Sequence, residues 1–226
     1  MLWLRRALKT VVFLVCLVPA LRLAAGAAGL GGMSLGADPV AALLHGCGRW
    51  GLNFLMFTLC VTPLKDLSGS LWPLRFRRML GLFAFFYLVL HLAVYILLDQ
   101  SGRLGAVWQD IVKRPYITIG MLALLLMVPL AATSTGRAMR RMGRRWTALH
   151  RLIYVIAILG VWHFWWQVKR DIREPVLYAA GLAVLLGYRM LKRRRQTARV
   201  SAARPAARDP TAATIVPSLA SRCTDP

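Results

Sequence analysis

Four histidines carry most of the chemistry open to this 226-residue chain: His45, His91, His150 and His163. Three lie inside long apolar runs, His91 in LFAFFYLVLHLAVYILL and His150 and His163 towards the two ends of LHRLIYVIAILGVWHFWW. An imidazole in hydrocarbon is costly unless something coordinates or pairs with it, so its default reading is functional. Two imidazoles on neighbouring helices at one depth can ligate a porphyrin iron from both sides, which fills its axial positions and favours electron transfer over ligand chemistry. The cysteines form no paired zinc pattern and no C-x-x-C-H attachment motif. Any haem is therefore expected to be non-covalent and b-type.

The elements that must position these rings are membrane helices. Hydrophobic residues make up 58% of the chain and charged residues only 17%, below the roughly 25% usual in soluble domains. A bilayer core about 30 Å thick needs about 20 apolar residues in a helix. Six segments approach that: Leu8–Leu30, Val40–Leu64, Met79–Leu98, Ile117–Ala132, Leu149–Val168 and Val176–Met190. The expected fold is an all-α polytopic helix bundle over residues 1–191, followed by a disordered basic tail over 192–226. No internal repeat is visible.

A formal charge of +22 would suggest nucleic acid if the basic residues formed one patch on a soluble surface. They fall instead into four groups: Arg5, Arg6 and Lys9; Lys65, Arg75, Arg77 and Arg78; Arg137 through Arg145; and Lys192 through Arg195. All four lie on one side of a six-span chain, and the opposite loops, Asp99–Arg114 and Lys169–Glu174, are only weakly positive. The positive-inside bias places both termini in the cytoplasm. The first span also has the basic, apolar and small-residue regions of a signal peptide, but cleavage would fit the charge alternation less well, and retention is expected.

Depth separates the histidines. At 1.5 Å per residue His91 lies about 20 Å in from the cytoplasmic side, His150 about 8 Å and His163 about 27 Å. His91 and His163 therefore share the outer half of the membrane, while His150 sits near the inner face. On an ideal helix His150 and His163 also point about 220° apart, unless Gly160 permits a distortion. One haem between His91 and His163 is the simplest arrangement, with His150 serving a second cofactor or acting alone.

His45 can hold a cofactor or merely bond a neighbouring helix. Arg49, just inside the outer end of the second span, needs an anion or must snorkel outward; a haem propionate suits its planar fork. Trp162, Trp165 and Trp166 flank His163 as cofactor walls or as an interfacial aromatic belt. No metal-hydrolase, phosphate-loop or nucleophile motif is present.

Taken in order, several stretches resemble the MsrQ family, haem-binding membrane subunits of periplasmic methionine-sulfoxide reductase systems within the ferric reductase-like transmembrane group. They are Gly36–Val40, His45 with Gly48-Arg49, Thr62-Pro63-Leu64, Arg77–Leu82, Leu90-His91-Leu92 with Tyr95, Arg114-Pro115-Tyr116 with Thr118 and Gly120, Thr133-Ser134-Thr135, Gly143 with Arg145-Trp146, Leu149-His150, and His163 with Trp166. The resemblance implies b-type haem linked to His91, His150 and His163, and FMN as a further cofactor. It implies electron transfer from the quinone pool of the bacterial inner membrane to a periplasmic molybdenum-cofactor reductase, MsrP, on which the sulfoxide is reduced. It implies that the chain itself is an electron-transfer subunit rather than the catalytic centre. The larger oxidases of the group carry two haems and a flavin-nicotinamide domain; with neither a fourth suitably placed histidine nor such a domain expected, this chain is expected to draw its electrons from elsewhere. Two other classes remain open from the residues: a stand-alone ferric or cupric reductase, and a non-redox membrane scaffold.

Overall fold

A computed structural model describes residues 2–168 and 171–202, and among them every regular element is helical. Six helices are long: α1 Leu2–Ala27, α2 Pro39–Ser68, α3 Arg77–Val94, α5 Pro115–Ala132, α8 Leu152–Gln167 and α9 Arg173–Ala202. Three short ones join them: α4 Leu104–Lys113, and the basic pair α6 Gly136–Met142 and α7 Arg144–Leu149. Residues 1–186 form one compact unit. Residues 187–226 form a second, whose described part continues α9 in helix to Ala202. Helix was expected to stop near Met190; the Lys, Arg and Gln residues that follow are good helix formers and carry it further. The rest of the expected tail, and Lys169 and Arg170 of the expected outer loop, lie outside the described residues.

Five helical segments are long and apolar enough to cross a membrane: Arg6–Ala27, Arg77–Asp99, Pro115–Ala132, Arg144–Gln167 and Arg173–Ala198. The chain is a multi-pass membrane protein. Helix α2, the second expected span, is absent from that set although its 30 residues reach about 45 Å. Its position explains this. It supplies Leu52, Phe54, Leu55, Leu59 and Val61 to the core and packs on α1, α3 and α8. A helix wrapped by other helices need not be uniformly apolar, and α2 carries His45, Arg49 and Asn53. Helix α1 is the opposite case, with Phe13, Leu14, Val15 and Leu21 all exposed on its outside, as lipid contact requires.

Local sequence sets where the helices begin. The Asp38 carboxylate accepts from the Ala41 amide at 3.0 Å and Pro39 occupies the first turn, where a missing N–H costs nothing. Pro115 opens α5 in the same way, and Arg114 before it is extended (φ −120°), as a residue preceding proline prefers. Gly69 ends α2 at φ 64°, a conformation that glycine adopts without a Cβ penalty.

Two tyrosine hydroxyls pair across helices. The Tyr87 hydroxyl on α3 donates to the Cys16 carbonyl and accepts from the Ala20 amide, both at 2.9 Å. It sits between the two groups an unbroken helix would bond to each other, next to Pro19, and so ties α1 to the bundle at its proline. The Tyr178 hydroxyl likewise donates to Asn53 Oδ1 at 2.7 Å.

Candidate functional site

His91 projects from the last turn of α3, just before the helix widens into a π turn over Tyr95–Asp99. Such turns recur at functional sites because they re-aim side chains. Its Nδ1 donates to the Leu44 carbonyl of α2 at 2.9 Å. His163, on α8, does the same with the Tyr116 carbonyl of α5 at 2.6 Å. A carbonyl can only accept, so both Nδ1 atoms carry the proton and both Nε2 atoms keep a free lone pair. This is the tautomer a metal ligand needs, and metal-bound histidines usually hold their second nitrogen in this way.

The two rings lie together. Their centroids are 6.2 Å apart and their planes meet at 81°. Two metal–nitrogen bonds of about 2 Å, plus about 1 Å from each nitrogen to its ring centre, come to about 6 Å. Both rings line a cavity of about 710 Å³, within the ~300–1,000 Å³ usual for cofactor sites. Leu52, Leu55, Leu88, Ala123, Leu124, Ile156 and Phe164 make its wall, and His45, Arg49, Tyr95, Asp99, Arg114 and Glu174 lie towards its mouth. An apolar pocket with two convergent imidazoles and charged groups at the opening fits a planar, largely apolar group with a polar edge.

One device builds both halves. Leu44, Gly48 and His91 are matched, 72 residues on, by Tyr116, Gly120 and His163. In each set the imidazole bonds a carbonyl 47 residues earlier. It also packs on the glycine one turn later: a Cβ on Gly48 would lie 3.0 Å from His91 Nδ1, and one on Gly120 2.8 Å from His163 Nδ1. Leu52 with Leu124 and Leu80 with Leu152 share the same offset. The bundle thus contains a helix pair, α2 with α3, echoed by α5 with α8. The correspondence lies in how these few residues are placed; the sequence itself shows no repeat beyond them.

The remaining histidines fall elsewhere. His150 lies at the turn between α7 and α8. Its Nε2 meets the Thr133 hydroxyl at 3.1 Å, and the Trp146 ring stacks on it with centroids 4.0 Å apart. The Trp146 indole N–H in turn donates to the Thr133 carbonyl at 3.0 Å. Thirteen residues of chain, about 20 Å of helix, separate His150 from His163. His45 is exposed and its Nδ1 meets the Gln167 amide at 3.2 Å. Arg49 pairs with Glu174 at 3.1 Å, both side chains about half exposed, so its anionic partner in the structure is a carboxylate of this chain. Trp162 and Trp166 are exposed and stack on each other; they do not wall the cavity. Gly160 does line it, inside an unbroken α8.

Sequence reasoning did not anticipate Leu44, Tyr116 or Glu174. The first two act through backbone carbonyls, which leave no side-chain signal. Two lining residues, Tyr95 and Arg114, belong to a second cluster: Asp110 of α4 accepts from the Tyr95 hydroxyl at 3.1 Å and the Gln100 amide at 3.2 Å and pairs with Arg114 at 3.3 Å. Arg114 also donates to the Tyr116 hydroxyl at 3.4 Å.

The sequence is similar to those of known proteins. Residues 47–161 match the family model described as the ferric reductase like transmembrane component. A protein-methionine-sulfoxide reductase heme-binding subunit MsrQ from Xanthomonas euvesicatoria pv. vesicatoria is 56% identical over 179 residues, 78% of this chain and 82% of that protein. Its counterpart in Azospira oryzae is 53% identical over 189 residues, 83% of this chain and 80% of that one. No solved structure matches. A cavity walled by two tethered imidazoles, set in a multi-pass bundle that aligns with these proteins over most of its length, leads to one assignment: the chain belongs to the MsrQ family of the ferric reductase-like transmembrane proteins.

Proposed function

We propose that this protein is the haem-binding, electron-transferring membrane subunit of a methionine-sulfoxide reductase system, with haem b held between His91 and His163. The observation that carries this is the pair of Nδ1-tethered rings, 6.2 Å apart, on the wall of one cavity. His91 and His163 would hold the haem, and when bound it would supply one-electron transfer.

The chain's own residues then do four things. The Leu44 and Tyr116 carbonyls hold the proton on each Nδ1 and keep each Nε2 basic. Leucines, Ile156 and Phe164 exclude water from the ring faces. Arg49 and Arg114 stand at the mouth, where carboxylates of a bound group would find cationic partners. The loop holding α4 and the one before α9 present the outer surface on which a partner docks. The positive-inside distribution supports a cytoplasmic position for α6, α7 and both termini, with the cavity towards the periplasmic side of the inner membrane. Quinol is the electron source in this reading, with FMN as a further carrier by family resemblance, and His150 lies towards that donor side. The acceptor is a periplasmic molybdenum-cofactor reductase of the MsrP type, which carries out the sulfoxide chemistry.

The second reading, a stand-alone ferric or cupric reductase, is favoured by the family model's own description. Reoxidation of the reduced, detergent-purified protein separates the two. Faster oxidation by the molybdoenzyme than by ferric chelates is expected, and the reverse ranking would replace the proposal with the second reading. A colourless protein would remove both.

A further inference from the structure

Helix geometry makes the two glycines more than space savers. In an α-helix the carbonyl of residue i points along the axis towards residue i+4, whose Cβ leans back over that same turn. A side chain at i+4 therefore screens the carbonyl at i from any group approaching sideways. Gly48 is residue i+4 to Leu44, and Gly120 is residue i+4 to Tyr116. With no Cβ at either place, each histidine ring slides over the glycine and reaches a carbonyl that is already part of a helix. Ring atoms occupy the space a Cβ would fill: Nδ1 and Cε1 of His91 at 3.0 and 3.1 Å, those of His163 at 2.8 and 2.9 Å. The glycine, the carbonyl and the imidazole thus form a lock with one setting, and it is built twice. The two settings differ in direction, leaving the ring planes 81° apart.

We propose that Gly48 and Gly120 are positioning residues that fix the rotation of the His91 and His163 rings, and so impose nearly perpendicular axial planes on the iron they hold. The inference rests on the haem reading above and goes beyond it. Perpendicular imidazole planes leave two of the iron d orbitals nearly equal in energy, and oxidised low-spin iron then gives a highly anisotropic EPR signal. Parallel planes split those orbitals and give an ordinary rhombic one. Ring rotation is thus directly readable and does not depend on turnover.

The test is low-temperature EPR of the oxidised, haem-loaded full-length protein and of three variants. Wild type should give the highly anisotropic signal. Gly48→Ala and Gly120→Ala should each shift it towards the rhombic form or to high spin, with haem affinity lower by about 10- to 100-fold as for other lost outer-shell contacts. Gly46→Ala is the control: its Cβ would meet Leu23 Cδ2 at 2.8 Å, an equal crowding on a flexible leucine, and the wild-type signal should persist. A rhombic signal from wild type, or glycine variants that match it, would overturn the proposal. If the variants do not accumulate, pulsed EPR on the remote ring nitrogens of wild type decides, since strongly hydrogen-bonded N–H groups are expected and free-like couplings would contradict the lock. A protein that binds no haem at all would instead sink the functional reading on which the inference stands.

Discussion

His163 on α8 and His150 at the turn before it are the same residue type in opposite circumstances. His163 gives its Nδ1 proton to a backbone carbonyl and lines a cavity opposite a second ring held in the same way. His150 has its Nε2 engaged by Thr133 and its face covered by Trp146. What separates them is which nitrogen is used. Tethering Nδ1 to an obligate acceptor frees Nε2 and prepares the ring for a metal. Engaging Nε2 with a hydroxyl, which can donate or accept, and burying one face under an indole satisfies the ring within the protein. In the proposed function the first arrangement serves a cofactor and the second satisfies the ring within the protein, a difference that sequence depth alone does not show.

The contrast can be broken in several places. The largest effect is expected from His91→Ala and His163→Ala, which should each reduce electron delivery from quinol to the periplasmic partner to the level seen without this protein, whereas His150→Ala should leave a measurable rate in the same assay. Equal loss in all three would erase the distinction. Next, Thr133→Val should destabilise the detergent-solubilised protein by about 1.5 kcal/mol, since it removes the hydroxyl partner of a part-buried ring nitrogen. Its absorption spectrum should be unchanged, and a spectral change would move His150 into the cofactor site. Tyr87→Phe should cost less, about 1 kcal/mol, because the Cys16 carbonyl and Ala20 amide can then close the α1 ladder on each other. Thermal unfolding monitored by fluorescence reads both. Smallest of all, Glu174→Gln removes a half-exposed ion pair with Arg49 worth about 0–1 kcal/mol, and should leave haem content intact. A large loss there would return Arg49 to the cofactor itself.

Much of this was legible in the sequence because hydrocarbon penalises polar groups so heavily that each one inside a span stands out. The shared depth of His91 and His163 and the helical class followed from that. Other features were hidden for identifiable reasons. The Leu44 and Tyr116 carbonyls are invisible because every residue has one. Glu174 meets Arg49 across 125 positions of chain, a pairing that no local pattern encodes. Tyr87 looks like any aromatic in an apolar run until its hydroxyl is found inside α1. The α2–α3 and α5–α8 correspondence involves few positions, and two of them, the glycines and the histidines, are where substitution would meet a ring or remove one. Helix α4, with Leu104, Trp108 and Val112 exposed along one side and Val107 and Asp110 turned inward, was read only as a polar loop because ten residues are too few to register as a span.

The central claim is that His91 and His163, and no other pair, grip one iron. Its most direct test is the haem-to-protein ratio of the purified chain with each of the four histidines replaced singly by alanine. Loss of the six-coordinate low-spin spectrum in the His91 and His163 variants, with the same spectrum retained when His45 or His150 is replaced, is the expected result. A full low-spin spectrum surviving the loss of His91 or of His163 would contradict it.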